Sequence, residues 1–301
     1  MIQVNKYTDN IKDDYYQLIS TRPMQKFKNR TFESYYNQYI KSKLGGYELK
    51  ELLCGEYEKL VEIKERIDTK YSSKTNLIKQ FFNYDKAKGK LSKLQPKIAT
   101  FFEENVDVHT CYFCNIEFIN KFKKSDGKFK NGFTLDHYID KGKYPYLALS
   151  LYNLIPSCYT CNSKVKGIDE INNLSPSSAN FDFDVKVKFR TFMENKNLQI
   201  DKIKDFDLQL KEDFSKEYIE YIDGFMLNER YEYHKYKVIE MINKRKAYPD
   251  SRIKELALLT KRTQEQVKQD LFGEYLFEEN DLHKRPLSKL TRDISKELGL
   301  V

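Results

Sequence analysis

Four of the five cysteines stand in two Cys-x-x-Cys pairs, Cys111/Cys114 and Cys158/Cys161, with 43 residues between Cys114 and Cys158. A Cys-x-x-Cys turn brings two thiolates onto one tetrahedral ion, and a second pair completes the four-sulfur shell that suits zinc. Two pairs within one stretch of a cysteine-poor chain point to a metal rather than to redox disulfides. Four thiolates leave no position for a substrate. The expected zinc is therefore structural, contributing on the order of 10 kcal/mol to folding a segment too small to hold itself together. The spacing exceeds that of an ordinary zinc ribbon, so a hairpin with its own task is expected to loop out between the pairs. This insertion carries Asp136-His137 and Asn153-Leu154, and Asn162 directly follows the last cysteine. The fifth cysteine, Cys54, falls among apolar residues at helical spacing and reads as an inert buried thiol.

The segment LDHYIDKGKYPYLALSLYNLIPSCYTCNSKVKG resembles the HNH endonuclease motif of the ββα-metal nucleases, in the zinc-supported form with two Cys-x-x-Cys pairs. The resemblance covers residues 110 to 172. In that family an Asp-His pair ends the first strand, an Asn-Leu dipeptide precedes the second cysteine pair, and a His or Asn follows the last cysteine on a helix. Asp136-His137, Asn153-Leu154 and Asn162 match these elements in order. Asn162 stands where many members have the third histidine. Asparagine at that place also occurs in the family, including in the HNH domain of CRISPR effector nucleases, so the departure bears on metal preference more than on activity.

Hydrolysis of a phosphodiester needs a base to activate water, a cation to absorb charge on the phosphate and leaving oxygen, and a scaffold that keeps both in line. His137 is the natural base, since an imidazole with an ordinary pKa near ~6.5 can be neutral and accept a proton. Asp136 and Asn162 offer hard oxygen ligands suited to a catalytic Mg2+ or Mn2+. Asn153, as the resemblance implies, hydrogen-bonds loop backbone and holds the His137 ring. His109 reads as a structural neighbour of the first cysteine pair, His234 as a core or interface histidine, and His283 as solvent-facing.

Lys121, Lys123, Lys124, Lys128 and Lys130 crowd one glycine-containing loop, and Lys141, Lys143, Lys164 and Lys166 flank the expected active centre. Lysines at such density suit phosphate contacts, which position a strand without reading its sequence. Lys164 and Lys166 are the foremost of these, on the helix expected to carry Asn162. Tyr138, Tyr144 and Tyr146 have faces on which bases could stack, although packing is the expected role of at least two.

The elements that must position these residues are legible in outline. Residues 1–105 show apolar positions at helical spacing. One stripe runs from Leu49 to Ile67, Thr75 stands where it would cap a second helix with Leu77, Ile78, Phe81 and Phe82, and Pro96 opens a third that ends at Phe101-Phe102. Residues 106–175 form the expected nuclease domain, and Ser175 to Asn180 reads as the boundary after it. In 176–301, a mixed region expected to contact substrate or a partner, apolar residues from Phe181 to Phe189 alternate with charged ones and predict a strand. Helical spacing returns with Leu227, Tyr231, Val238 and Ile242, a capping box with Thr263 and Gln266, and a last face with Leu290 and Ile294. The expected class is α+β: predominantly helical, a central ββα-metal, treble-clef-like nuclease domain, and a few C-terminal strands.

With 40% hydrophobic and 14% aromatic residues among 301, the chain can build a core, which excludes collagen-like and disordered classes. The amino terminus is too acidic and polar for a signal peptide and no run is apolar enough for a membrane span, so the expectation is a soluble, cytoplasmic protein. A net charge of +8 permits a polyanionic partner without demanding one. DNA is the expected substrate, with RNA open. The resemblance extends to effector nucleases of bacterial anti-phage defence, where an ATPase partner commonly restrains or directs the nuclease. The rival reading is a non-catalytic zinc module that binds nucleic acid or protein through the same fold.

Overall fold

The structure is a computed structural model that describes residues 1–24, 30–67, 69–72, 76–83, 94–106, 109–123, 125, 127, 129–166, 171, 174–193, 200–273 and 282–300. It is a mixed α and β protein in which the sheets among the described residues are small and two-stranded. The chain divides into two compact units that interleave along the sequence. One comprises Gln3–Val108 and Ile119–Phe181, the other Met1–Ile2, His109–Phe118 and Asp182–Val301.

The first unit opens with α1 (Asp9–Ser20), capped by the Thr8 hydroxyl, and continues through β1 (Pro23–Met24), β2 (Arg30–Thr31) and α2 (Phe32–Tyr35). The stripe from Leu49 to Ile67 is not one helix but two, α3 (Leu49–Cys54) and α4 (Tyr57–Arg66). The break falls at Gly55, whose N–H closes on the Glu51 carbonyl. A side chain there would place its Cβ 2.4 Å from that same oxygen, so glycine is required at the turn. Helix α5 (Leu77–Phe81) is capped by Asn76, whose Oδ1 accepts from the Ile78 N–H at 2.7 Å; Thr75, expected as the cap, lies outside the described residues. Helix α6 (Leu94–Asn105) carries Phe101 and Phe102 into the core.

Two antiparallel hairpins follow, β3 (Lys121–Lys123) with β4 (Phe129–Asn131) and β5 (Thr134–His137) with β6 (Leu154–Ser157). Strand β6 runs on into a π-helical turn, Thr160–Val165. The unit's core gathers Tyr15, Leu52, Leu60, Phe102, Tyr146 and Leu149, all fully buried.

In the second unit the alternation from Phe181 to Phe189 overpredicts strand. Residues Phe183–Lys186 form a single helical turn, α7, and β7 spans only Val187–Met193. A strand throughout would have placed Val185 on the same face as Phe183 and Val187. The turn instead leaves Val185 at 74% exposure and buries Phe183 and Val187, which lie four residues apart on one helical side. Strand β7 pairs with β8 (Phe206–Glu212), where Phe206, Leu208 and Leu210 alternate with more exposed residues. Helices α8 (Ile219–Gly224), α9 (Leu227–Glu232), α10 (Lys235–Ala247), α11 (Asp250–Thr260), α12 (Gln264–Phe272) and α13 (Ser288–Glu297) complete the unit. The expected Thr263/Gln266 capping box is present at α12, and Leu227, Tyr231, Val238 and Ile242 are buried on α9 and α10. His283, read as solvent-facing, is buried at 7% exposure, because the chain before α13 turns inward and the His283 carbonyl accepts from the Thr110 hydroxyl at 2.8 Å. Among the described residues no helix is long and apolar enough to cross a membrane.

Candidate metal centre and candidate active site

The first cysteine pair sits on a turn closed by the bridge between Thr110 and Phe118 and by the Cys111 N–H donating to the Glu117 carbonyl at 3.1 Å. Asn115, just past the pair, has φ +53° and donates its N–H to the Cys111 carbonyl at 2.8 Å. The left-handed backbone that asparagine tolerates turns the chain so that the next amide, of Ile116, lies 3.4 Å from Cys114 Sγ. In the second pair Cys158 follows β6, and the Cys161 N–H lies 3.4 Å from Cys158 Sγ.

All four cysteines are buried and none is in a disulfide. Their Sγ atoms lie within 4.8 Å of one another. A tetrahedral zinc with ~2.3 Å bonds to sulfur needs sulfurs roughly 3.8 Å apart, and amides aimed at sulfur stabilise thiolate over thiol. The donor set therefore fits zinc, and with four sulfurs it suits a closed, structural ion. Cys54 is different. Burial pushes its thiol up to about 12, and Sγ lies 3.3 Å from the Lys12 carbonyl.

Sequence reasoning passed over Asn115, which is fully buried. Its Nδ2 donates to the carbonyls of Leu282 (3.0 Å) and Arg285 (3.1 Å) and to the Thr110 hydroxyl (3.2 Å), while Oδ1 accepts from the Lys289 N–H and the Ser288 hydroxyl. One amide thus fixes the metal turn to the start of α13. The available signal was an asparagine one residue after a Cys-x-x-Cys turn, where a positive φ is needed.

Asp136 and His137 end β5, opposite Ile155 and Leu154 of β6. Successive strand residues face opposite sides, so the two side chains part company. His137 is partly exposed, and its Nε2 lies 3.0 Å from the Ala148 carbonyl. A carbonyl only accepts, so the bond places a proton on Nε2; in the neutral ring the lone pair is then on Nδ1. Ala148 belongs to the long loop between the strands, and Asn153 holds that loop. Fully buried, Asn153 accepts the Ile139 N–H on Oδ1 at 2.6 Å and donates from Nδ2 to the carbonyls of Ile139 (3.1 Å) and Leu147 (3.0 Å).

Asp136 points inward at 2% exposure. Lys166 Nζ sits 3.1 Å from its Oδ2 and 3.4 Å from its Oδ1, with the hydrogen bond directed at Oδ1; Oδ2 receives charge but no aligned donor. Burial holds the Asp136 carboxyl above the usual carboxylate range, and Lys166 only partly opposes it. Lys166 also lies 5.3 Å from the centroid of the Tyr138 ring, whose hydroxyl donates to the Ile171 carbonyl at 2.7 Å.

The flanking lysines thus differ in kind. Lys166 is 3% exposed and committed to Asp136, whereas Lys164 and Lys143 are exposed and Lys141 partly so. In the β3–β4 hairpin Lys123 and Lys130 are exposed and Lys121 pairs with Glu103, while Lys124 and Lys128 lie outside the described residues. Tyr138 and Tyr146 are buried in packing, and Tyr144 is half-buried against Tyr146. Asn162 is partly exposed on the π-helical turn, its N–H donating to the Cys158 carbonyl.

A divalent ion held by Asp136 and Asn162 does not fit this arrangement. The Asp136 carboxylate is buried and a lysine ammonium already occupies its side, so an ion that keeps several waters would have to displace Lys166. No protein-family model, curated protein or solved structure matches the chain.

Proposed function

We propose that the chain is an HNH-type endonuclease that hydrolyses phosphodiester bonds in DNA. The single observation that carries the reading is the setting of His137. It sits at the end of a strand, partly exposed, with Nε2 tied to a loop carbonyl and the loop itself tied down by Asn153. In the neutral ring a proton on Nε2 leaves the lone pair on Nδ1, which takes a proton from water as the water oxygen bonds to phosphorus; the P–O bond to the leaving strand's ester oxygen breaks, and that oxygen takes its proton from solvent. The strand, loop, strand and helical turn from Thr134 to Val165 follow the order the motif requires. Exposed Lys164 on that turn would contact a phosphate flanking the scissile one. Mg2+ or Mn2+ is the cation the resemblance implies, and its entry requires Lys166 to withdraw from Asp136. A link to anti-phage defence with an ATPase partner rests on the resemblance alone.

A second reading is favoured by the Asp136–Lys166 pair itself. A carboxylate neutralised by an internal lysine supports a non-catalytic zinc module that binds nucleic acid or protein without cutting. The discriminating experiment incubates the purified chain with supercoiled plasmid, linear duplex, single-stranded DNA and RNA in Mg2+ or Mn2+, beside His137→Ala. Cleavage that disappears in His137→Ala, with zinc content and melting temperature retained, is the expected result. A fully active His137→Ala refutes the proposal, and binding without cleavage by the wild-type chain establishes the module.

A further inference from the structure

The end of α4 and two short 3₁₀ turns, Lys41–Leu44 and Thr69–Ser72, border a concavity of about 410 Å³ in the first unit. It is lined by Lys43, Tyr47, Arg66, Ile67, Lys70 and Tyr71, with Gly45 at its edge. Gly45 (φ +68°) and Gly46 (φ +80°) take the left-handed backbone that swings Tyr47 back toward α4.

Three of the lining residues are cationic and, among the described ones, none is acidic. The two tyrosines are half-buried, and Lys59 Nζ lies 5.4 Å from the Tyr47 ring centroid. The Tyr71 hydroxyl donates to the Lys43 carbonyl at 2.7 Å, and the Tyr47 carbonyl accepts from Tyr36 at 2.7 Å. Lys70 Nζ lies 5.3 Å from the Tyr71 ring centroid. Arg66 pairs with Glu62 at 3.0 Å, but its side chain is 67% exposed, and an exposed pair of this kind exchanges readily for a better anion.

A volume of this size is that of a small-molecule site and much larger than a bare phosphate requires. Cations alone would suit any anion; the Tyr71 ring beside them, tied through its hydroxyl, adds a preference for a flat ring attached to the charge. We infer that this pocket binds a phosphorylated nucleoside, with the base against Tyr71 and the phosphate taken by Lys43, Arg66 and Lys70. The nucleoside is either a free nucleotide or one unit of a single strand. The Ile67 carbonyl in the pocket wall accepts from the Tyr146 hydroxyl at 3.4 Å, and Tyr146 belongs to the loop that carries Ala148. Occupancy of the pocket is thereby in structural contact with the loop that holds His137, but the binding itself does not rest on hydrolysis there.

The test uses the full chain carrying His137→Ala, so that no cleavage intervenes and the outcome is independent of the nuclease proposal. Binding of adenosine monophosphate is measured by calorimetry and of a fluorescein-labelled single-stranded oligonucleotide by anisotropy, with inorganic phosphate and poly-glutamate as competitors. Arg66→Glu/Lys70→Glu and, separately, Tyr71→Phe and Tyr71→Ala are compared at unchanged zinc content and melting temperature. The expected result is a loss of roughly tenfold or more in affinity for the charge-reversed pair and for Tyr71→Ala, little change for Tyr71→Phe, and a shallower salt dependence for the charge-reversed pair. Binding of both probes identifies a free nucleotide as sufficient, and binding of the oligonucleotide alone identifies the strand. Inorganic phosphate or poly-glutamate competing as well as the nucleotide overturns the proposal, as does affinity unchanged in all variants.

Discussion

Replacing Asn153 by alanine should release the loop between β5 and β6 locally before it affects the rest of the molecule. The asparagine is fully buried and its amide makes three hydrogen bonds, from the Ile139 N–H at 2.6 Å and to the Ile139 and Leu147 carbonyls at 3.1 and 3.0 Å. Alanine removes all three and supplies no substitute, leaving one buried donor and two acceptors to find others. At about 1 kcal/mol for each neutral hydrogen bond, the loss is about 3 kcal/mol, with more to come if the orphaned groups stay dry. Because these bonds are confined to the loop, the cost falls on its local opening, and exchange of the Ile139 amide should quicken roughly a hundredfold. Hydrogen exchange read by NMR or mass spectrometry on peptides spanning 138–152 measures this directly, with peptides from α1 and α4 as internal controls. Asn153→Asp keeps the acceptor for Ile139 but turns a carboxylate oxygen toward two carbonyls, so its loop should open more readily at pH 7 than at pH 4, where the carboxyl regains a donor. Protection of the Ile139 amide in Asn153→Ala within threefold of wild type would refute the reasoning.

Three further outcomes follow from the same structure. One zinc per chain should be found by mass spectrometry and lost in Cys161→Ser, and after chelation iodoacetamide at pH 8 should modify four cysteines while Cys54, held up to about 12 by burial, stays unmodified until the chain unfolds. Asn115→Gly keeps the positive φ but deletes five side-chain hydrogen bonds and should cost about 2–4 kcal/mol in denaturant unfolding, with Asn115→Ala costing more because it also strains the turn. Lys166→Met removes the cation beside the buried Asp136 carboxylate and should cost about 3–5 kcal/mol near pH 8. The Asp136 carboxyl is already raised in the folded state, so this destabilisation is small below the unfolded carboxylate pKa and grows as pH rises through the folded one. Denaturant midpoints measured from pH 4 to pH 8 should show the two curves diverging upward in pH, and Asp136→Asn in the same chain should close the gap.

The sequence by itself determined the chemistry-bearing types and much of the local structure. Cysteine spacing was sufficient to expect a four-sulfur site, because two residues between cysteines leave the backbone little choice but a turn. The Thr263/Gln266 cap was legible for the same reason, since it is satisfied within four residues of chain. The break at Gly55 was missed: a stripe of apolar residues reports which side is buried and not whether the helix beneath it is continuous. The turn at Phe183–Lys186 was missed because Phe183 and Val187 satisfy a strand face and a helix face equally well, and only the exposure of Val185 decides between them. Strand β8 carries the same period-two signal at Phe206, Leu208 and Leu210.

What only the tertiary structure decided is the state of each polar group. Asp136, Lys164 and Lys166 look alike in sequence as charges near His137. The alternation of β5 turns Asp136 inward while His137 stays partly exposed, and Lys166 ends the helical turn against Asp136 while Lys164 remains at the surface. Likewise its place after the Cys-x-x-Cys turn marks Asn115 for a positive φ, but its partners on and before α13 lie 167 to 174 residues away. A side chain's type is a property of the sequence; whether its charge is solvated, paired or buried depends on neighbours brought from distant parts of the chain, and that is settled by packing.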